Sequence, residues 1–140
     1  MLHRDYLVEQ FLRFAEAIRL SWTKAKGQPA DPLDAAELLE AAVGNATNLD
    51  GGTLLLLSPD SIASILQVTD TDPDVVEYLA RTLLLESEYL DEGGEPARAE
   101  LRRAQAHAIA QGYGIPLSPQ LITEDEFEVF FERTRNRALR

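Results

Sequence analysis

Residues 72–111 read DPDVVEYLARTLLLESEYLDEGGEPARAELRRAQAHAIAQ, and this stretch decides the fold. Asp72-Pro73 is a helix start. Asp is a favoured N-cap, and proline at the first helical position loses only an N–H that had no partner. From Val76, residues Leu79, Ala80, Leu83, Ser87 and Leu90 draw one helical face. Leu84 and Leu85 lie off that stripe, which predicts a helix wrapped on more than one side. Asp91-Glu92-Gly93-Gly94 ends it, because glycine takes a left-handed turn without steric cost. Glu95-Pro96 opens a second helix, rich in alanine from Ala97 to Ala110 and closed by Gly112 and Gly114. Alanine favours helix and lets backbones approach closely. A turn this short makes the two helices antiparallel.

Outward toward the N-terminus, the clearest periodicity is Leu7, Phe11, Phe14, Ile18, Trp22 and Ala25, widened by Val8 and Ala15. It predicts a helix from about Asp5 to Ala25, ended by Gly27-Gln28-Pro29. Leu2, Tyr6 and Leu20 fall away from the main stripe, as residues meeting another helix or a second copy of the chain would. Asp31-Pro32 starts the next helix, with Leu33, Ala36, Leu38 or Leu39, Ala42 and Val43 facing inward and Gly44-Asn45 as its stop. Asn48 to Thr53 is turn-rich. Leu54 to Leu57 is a short apolar run that periodicity assigns neither to strand nor to helix. A lone strand would have no partner, so a helix or a buried loop is expected. Ser58-Pro59 opens a short helix through Ile62, Ile65 and Leu66.

On the C-terminal side, Pro116 and Pro119 mark a connecting loop. Thr123 and Glu126 form a capping box, and Phe127, Phe130, Phe131, Thr134 and Ala138 share the face that follows. Acids at its start and Arg133, Arg135, Arg137 and Arg140 at its end suit the helix dipole. The sum is an all-α, single-domain bundle of about six helices spanning residues 1–140.

The hairpin at 72–111 resembles one tetratricopeptide-type unit. Leu83, Ser87 and Leu90 on the first helix, Gly94 at the turn, and Ala99 and Ala106 on the second carry the resemblance. Glu86 stands where that pattern places a leucine, and Arg103 where it places an aromatic. No second copy follows at the expected period of roughly 34 residues, so the resemblance is to one hairpin within another helical fold. The order of elements, with Tyr6–Leu20 and Ala35–Leu66 before the hairpin, is similar to a group of small uncharacterised all-helical bacterial proteins. That resemblance implies a compact tetratricopeptide-like domain and no assigned activity.

Composition narrows the chemistry. With 45% hydrophobic residues among 140, a sizeable core is possible. The absence of cysteine removes disulfides and thiolate metal sites. No apolar run approaches the ~18 residues of a membrane helix, and the charged start is unlike a secretory signal, so a soluble cytoplasmic chain is expected. The net charge of −11 is concentrated: residues 27–97 carry fifteen acids and one base, Arg81. Such a middle disfavours nucleic-acid and anionic-membrane binding.

No catalytic, cofactor or metal site is predicted. Asp70, Asp72 and Asp74 start like a calcium loop, but Val75 and Arg81 occupy its glycine and glutamate places, so helix capping explains them better. His3 and His107 have no ligand-like spacing around them. Glu37 with Glu40, and Glu86 with Glu88 and Glu92, offer carboxylates together, yet nothing marks them for burial, and surface charge is the reading. The function expected is a non-enzymatic protein-interaction or scaffold module with protein partners, possible homodimerisation among them. The alternatives are an enzyme or small-molecule binder with a pocket between helices, beside Tyr78, Tyr89, Trp22 or His107, and an acidic nucleic-acid mimic.

Overall fold

A computed structural model describes residues 2–27, 29–47, 51–69, 71–117 and 124–138. Asn48 to Asp50, Asp70, Pro119, Thr123 and Arg140 lie outside the described residues. So do the side chains of Leu2, His3, Tyr6, Leu7, Val8, Phe11, Glu126, Thr134, Arg137 and Ala138. The helices are α1 (Leu2–Lys26), α2 (Pro32–Thr47), α3 (Gly51–Leu54), α4 (Pro59–Val68), α5 (Pro73–Glu92), α6 (Pro96–Tyr113) and α7 (Glu124–Ala138). The protein is all-α, with no strand among the described residues. They hold seven helices against the six expected, and the addition is the single turn α3.

α5 is the hub. It packs against α6, α2 and α1, while α4 leans on α6 and α7 closes against α1. Val76, Leu79, Leu83 and Leu90 are buried as the apolar stripe required, and so are Leu84 and Leu85 from the other side. The helix is therefore wrapped nearly all round, as a helix apolar beyond one stripe should be.

Its ends follow the local chemistry. The Asp72 side chain accepts the Asp74 N–H at 2.9 Å, and Pro73 follows as the first helical residue. At the other end Gly94 has φ +81°, Glu95 N–H reaches Leu90 O at 2.8 Å and Gly94 N–H reaches Asp91 O at 3.2 Å. That pair of bonds satisfies two carbonyls the helix itself leaves open. α6 ends the same way, with Ile115 N–H on Ala110 O at 2.8 Å. Gly93 has a different reason to be glycine. Its φ is an ordinary −85°, but a Cβ there would meet Leu33 of α2 at 2.5 Å.

One expectation is corrected, and the helix or buried loop expected at Leu54 to Leu57 holds in part. Gly44 does not stop α2, which continues to Thr47. Glycine lowers helix propensity by roughly 1 kcal/mol, which the packing of Leu39 and Val43 in the turns just before it offsets. Leu54 to Leu57 is not one uniform segment. Leu54 closes α3, Leu55 to Leu57 form a turn, Leu54 and Leu55 are buried, and Leu56 is 81% exposed. Leu56 N–H and Leu57 N–H find Thr53 O and Leu54 O at 3.1 and 3.2 Å. The carbonyls of this turn need partners from elsewhere.

Candidate functional site: a cleft between the first and last helices, and a buried polar clasp

Tyr78 is 1% exposed and sits at the centre of an aromatic cluster. Its ring lies 5.4 Å from Phe14 of α1 and 4.5 and 5.9 Å from Phe130 and Phe131 of α7. Ring centroids 4.5–7 Å apart in offset or tilted arrangements attract beyond simple burial. Trp22 adds an edge contact to Phe127 at 6.0 Å. These rings fasten α7 to α1 and α5.

The two helices do not meet along their whole length. A cavity of about 430 Å³ opens between them. Tyr78 and Phe131 form its floor, and Leu12 and Ala15 form its α1 wall. Arg19 spans to α7 and donates twice to Glu128, at 2.8 and 3.0 Å, with its guanidinium 5.1 Å above the Phe131 ring. The remaining rim charges are Glu132 and Arg135, both exposed and without an ion-pair partner among the described residues. Leu12 is 55% exposed. The site thus offers apolar depth with one charge of each sign at its edge that no described residue pairs. A second groove of about 310 Å³ runs between α1 and α2, with the exposed Leu20 beside Leu38.

Of the aromatic and histidine positions singled out, Tyr78 lines the first of these two spaces, and Trp22, Tyr89 and His107 line neither. Tyr89 meets Ser21 of α1 at 3.3 Å, and burial pushes its hydroxyl up to about 12 against that bond. His107 is half-buried on α6 and borders neither cavity. Arg133 reaches back to Glu77 of the acidic middle at 3.5 Å. Asp72 caps α5, as expected for that acidic cluster.

The carboxylates are the correction. Glu86 is not surface charge: it is 0% exposed. Arg102 of α6 donates to its Oε2 at 2.8 Å. The same guanidinium donates to Leu55 O at 2.9 Å, Gln105 Oε1 at 3.1 Å and Glu40 Oε1 of α2 at 3.1 Å. Gln105 is also fully buried, and its amide donates to Leu55 O at 3.0 Å and Leu57 O at 2.8 Å. These bonds supply the partners that the carbonyls of the 55–57 turn lacked. Arg98 completes the cluster on Glu40 at 3.0 Å. One polar clasp therefore joins α2, α5, α6 and the 55–57 turn.

Burial lifts the Glu86 carboxyl well above the ordinary carboxylate range, and the hydrogen bond and charge of Glu40 add to this against the pull of Arg102. For Glu40, burial also pushes upward, but the bonds from Glu86 and Arg102, with the Arg102 and Arg98 charges, bring it below its usual value. Neither cavity is lined by Glu86, Arg102 or Glu40, so this buried pair does not face a substrate-sized space there.

Compared with family models, curated proteins and solved structures, the chain matches none. Among the described residues no group of three or more His, Asp or Glu is placed to hold a metal ion, and no helix is long and apolar enough to cross a membrane.

Arg102 and Gln105 were missed from the sequence, as was the burial of Glu86. A signal existed. Glu86 lies three residues from Leu83 and four from Leu90, on the buried stripe, at the place where the tetratricopeptide pattern has a leucine. Arg102 lies likewise between Ala99 and Ala106, both buried. A charge on each of two facing stripes is the mark of a buried pair.

Proposed function

We propose that this chain is a non-enzymatic helical interaction module of the cytoplasm, and that the cleft between α1 and α7 receives an amphipathic helix of a partner protein. The observation that carries the reading is the cleft itself: an aromatic floor of Tyr78 and Phe131, an exposed Leu12, and at the rim Glu132 and Arg135, which pair with no described residue. An apolar anchor with a base and an acid one turn apart would fill the depth and match both rim charges. Helix-in-groove recognition uses such anchors. The packed α5–α6 hairpin supports the tetratricopeptide-like part of the reading, with Ala99 and Ala106 buried on the shared face and Gly94 at the turn. The acidic middle is read as structural. Asp34, Glu40, Glu77 and Asp91 each face a lysine or arginine within 3.5 Å, which leaves less free charge for imitating nucleic acid.

Peptide display against the wild-type chain, with counter-selection on Leu12→Glu, tests this. The expected result is enrichment of helical peptides carrying an apolar anchor beside paired opposite charges. Recovery of the same peptides on both proteins, or no enrichment, would overturn it. A second reading, a small-molecule binder, is favoured by the size of the cleft, since about 430 Å³ lies within the 300–1,000 Å³ of ligand sites. A fragment screen by ligand-observed NMR separates the two. Self-association through the exposed Leu20 is a third outcome, read as a dimer mass by light scattering.

A further inference from the structure

The geometry of the buried clasp holds one unresolved charge. Glu86 Oε1 receives no hydrogen bond from any donor, although the residue is sealed from water. The carboxyl group of Glu40 is held beside it, because both accept from one guanidinium, that of Arg102. Two carboxylates cannot bond to each other, but a carboxylic acid and a carboxylate can. Among the described residues Arg102 is the one buried cation, and it is shared between both carboxyl groups at 2.8 and 3.1 Å. Arg98 reaches only the outer one, Glu40, from a more exposed position. With both carboxyls ionised, the fully buried Glu86 carboxylate would have a single counter-charge, Arg102, already shared with Glu40, which a low-dielectric site resists. A proton on Glu86 removes that demand and leaves Glu40 to Arg102 and Arg98.

We propose that Glu86 and Glu40 share a single proton, carried on Glu86, and that losing it loosens α2 and the 55–57 turn from the α5–α6 hairpin. The proton makes the bond that ties α2 to α5 directly. Without it, α2 is held at this point through the guanidinium groups of Arg102 and Arg98 on Glu40 alone. The 55–57 turn depends on the Arg102 guanidinium and on Gln105. Glu40 from α2 and Arg102 from α6 are the charged groups that act on Glu86, and Arg98 acts on Glu40.

The direction with pH follows from linkage. A carboxyl that keeps its proton more strongly when folded stabilises the fold fully below its unfolded pKa, near 4.3. That contribution is lost as pH rises toward the higher folded value. Stability should therefore decline through the interval above the ordinary carboxylate range, opposite to the behaviour of an ionic Glu–Arg pair.

Two measurements on the intact chain test this. In the first, the Glu86 side-chain carboxyl carbon is followed by NMR in the wild-type protein as pH is raised. The expected result is a protonated shift persisting through and above the ordinary carboxylate range. A carboxylate shift throughout that range would overturn the proposal. In the second, urea midpoints are compared for wild type and Glu86→Gln across pH. The amide imitates the protonated acid, donating to Glu40 and accepting from Arg102. The variant is expected to lose the decline and to protect the amides of α2 and the 55–57 turn better than wild type at the alkaline end. A parallel pH profile at a uniformly lower midpoint would mean that Glu86 acts as an ordinary ionised partner.

Discussion

Arg102 donates to four groups on α2, α5, α6 and the 55–57 turn, and no other described side chain links as many segments. Buried ion pairs often contribute little net stability, because desolvation offsets attraction. Removing one member is another matter, since its partners stay buried and unpaired. Arg102→Met keeps most of the volume and deletes every donor. It is expected to lower stability by about 3–5 kcal/mol, measured by urea unfolding. A loss below about 1 kcal/mol, the size of an exposed pair, would show that the clasp is peripheral. Glu86→Gln should behave in the opposite way, because a neutral amide meets both of Glu86's bonds. The contrast between two members of one ion pair separates a shared proton from a simple salt bridge.

At the scale of elements, α5 is where reading the sequence worked and where it stopped. Its start at Asp72-Pro73, its end at Gly93-Gly94 and its inner stripe were legible, because caps and apolar spacing are local chemistry. Leu83 is fully buried on that stripe, and Leu83→Ala should cost about 2–5 kcal/mol. An unchanged denaturation midpoint would mean that the inner face lies elsewhere. At the turn the two glycines differ. Gly94→Ala places a side chain at φ +81° with nothing around it, so the cost is backbone strain alone, about 1–2 kcal/mol. A midpoint shift within error would remove the left-handed turn from the account. The extent of α2 past Gly44 and the split of Leu54 to Leu57 were not legible. Both are settled by tertiary partners: in the second case by Arg102 and Gln105, which reach back some fifty residues to cap carbonyls. No local pattern carries such a bond, and the spacing of Glu86 and Arg102 on their stripes shows only afterwards as its trace.

For the whole molecule, the all-helical architecture followed from leucines, alanines and caps, while the candidate site did not. The cleft is made by residues far apart in the chain: Leu12 and Arg19 from α1, Tyr78 from α5, Phe131 and Arg135 from α7. Each by itself reads as an ordinary core or surface residue. What distinguishes them is that the aromatic cluster around Tyr78 seats α7 near α1 without closing the gap above the rings. The clasp lies about two turns further along α5, where it joins α6 and α2. Rigid packing at the hub then leaves the cleft as a preformed surface, the arrangement that limits the entropic cost of binding. The most direct test is a search for intermolecular NOEs between a selected peptide's apolar anchor and the rings of Tyr78 and Phe131. The account expects contacts to both rings, lost with Leu12→Glu. Contacts confined to the α1–α2 groove or to the acidic surface of α5 would contradict it.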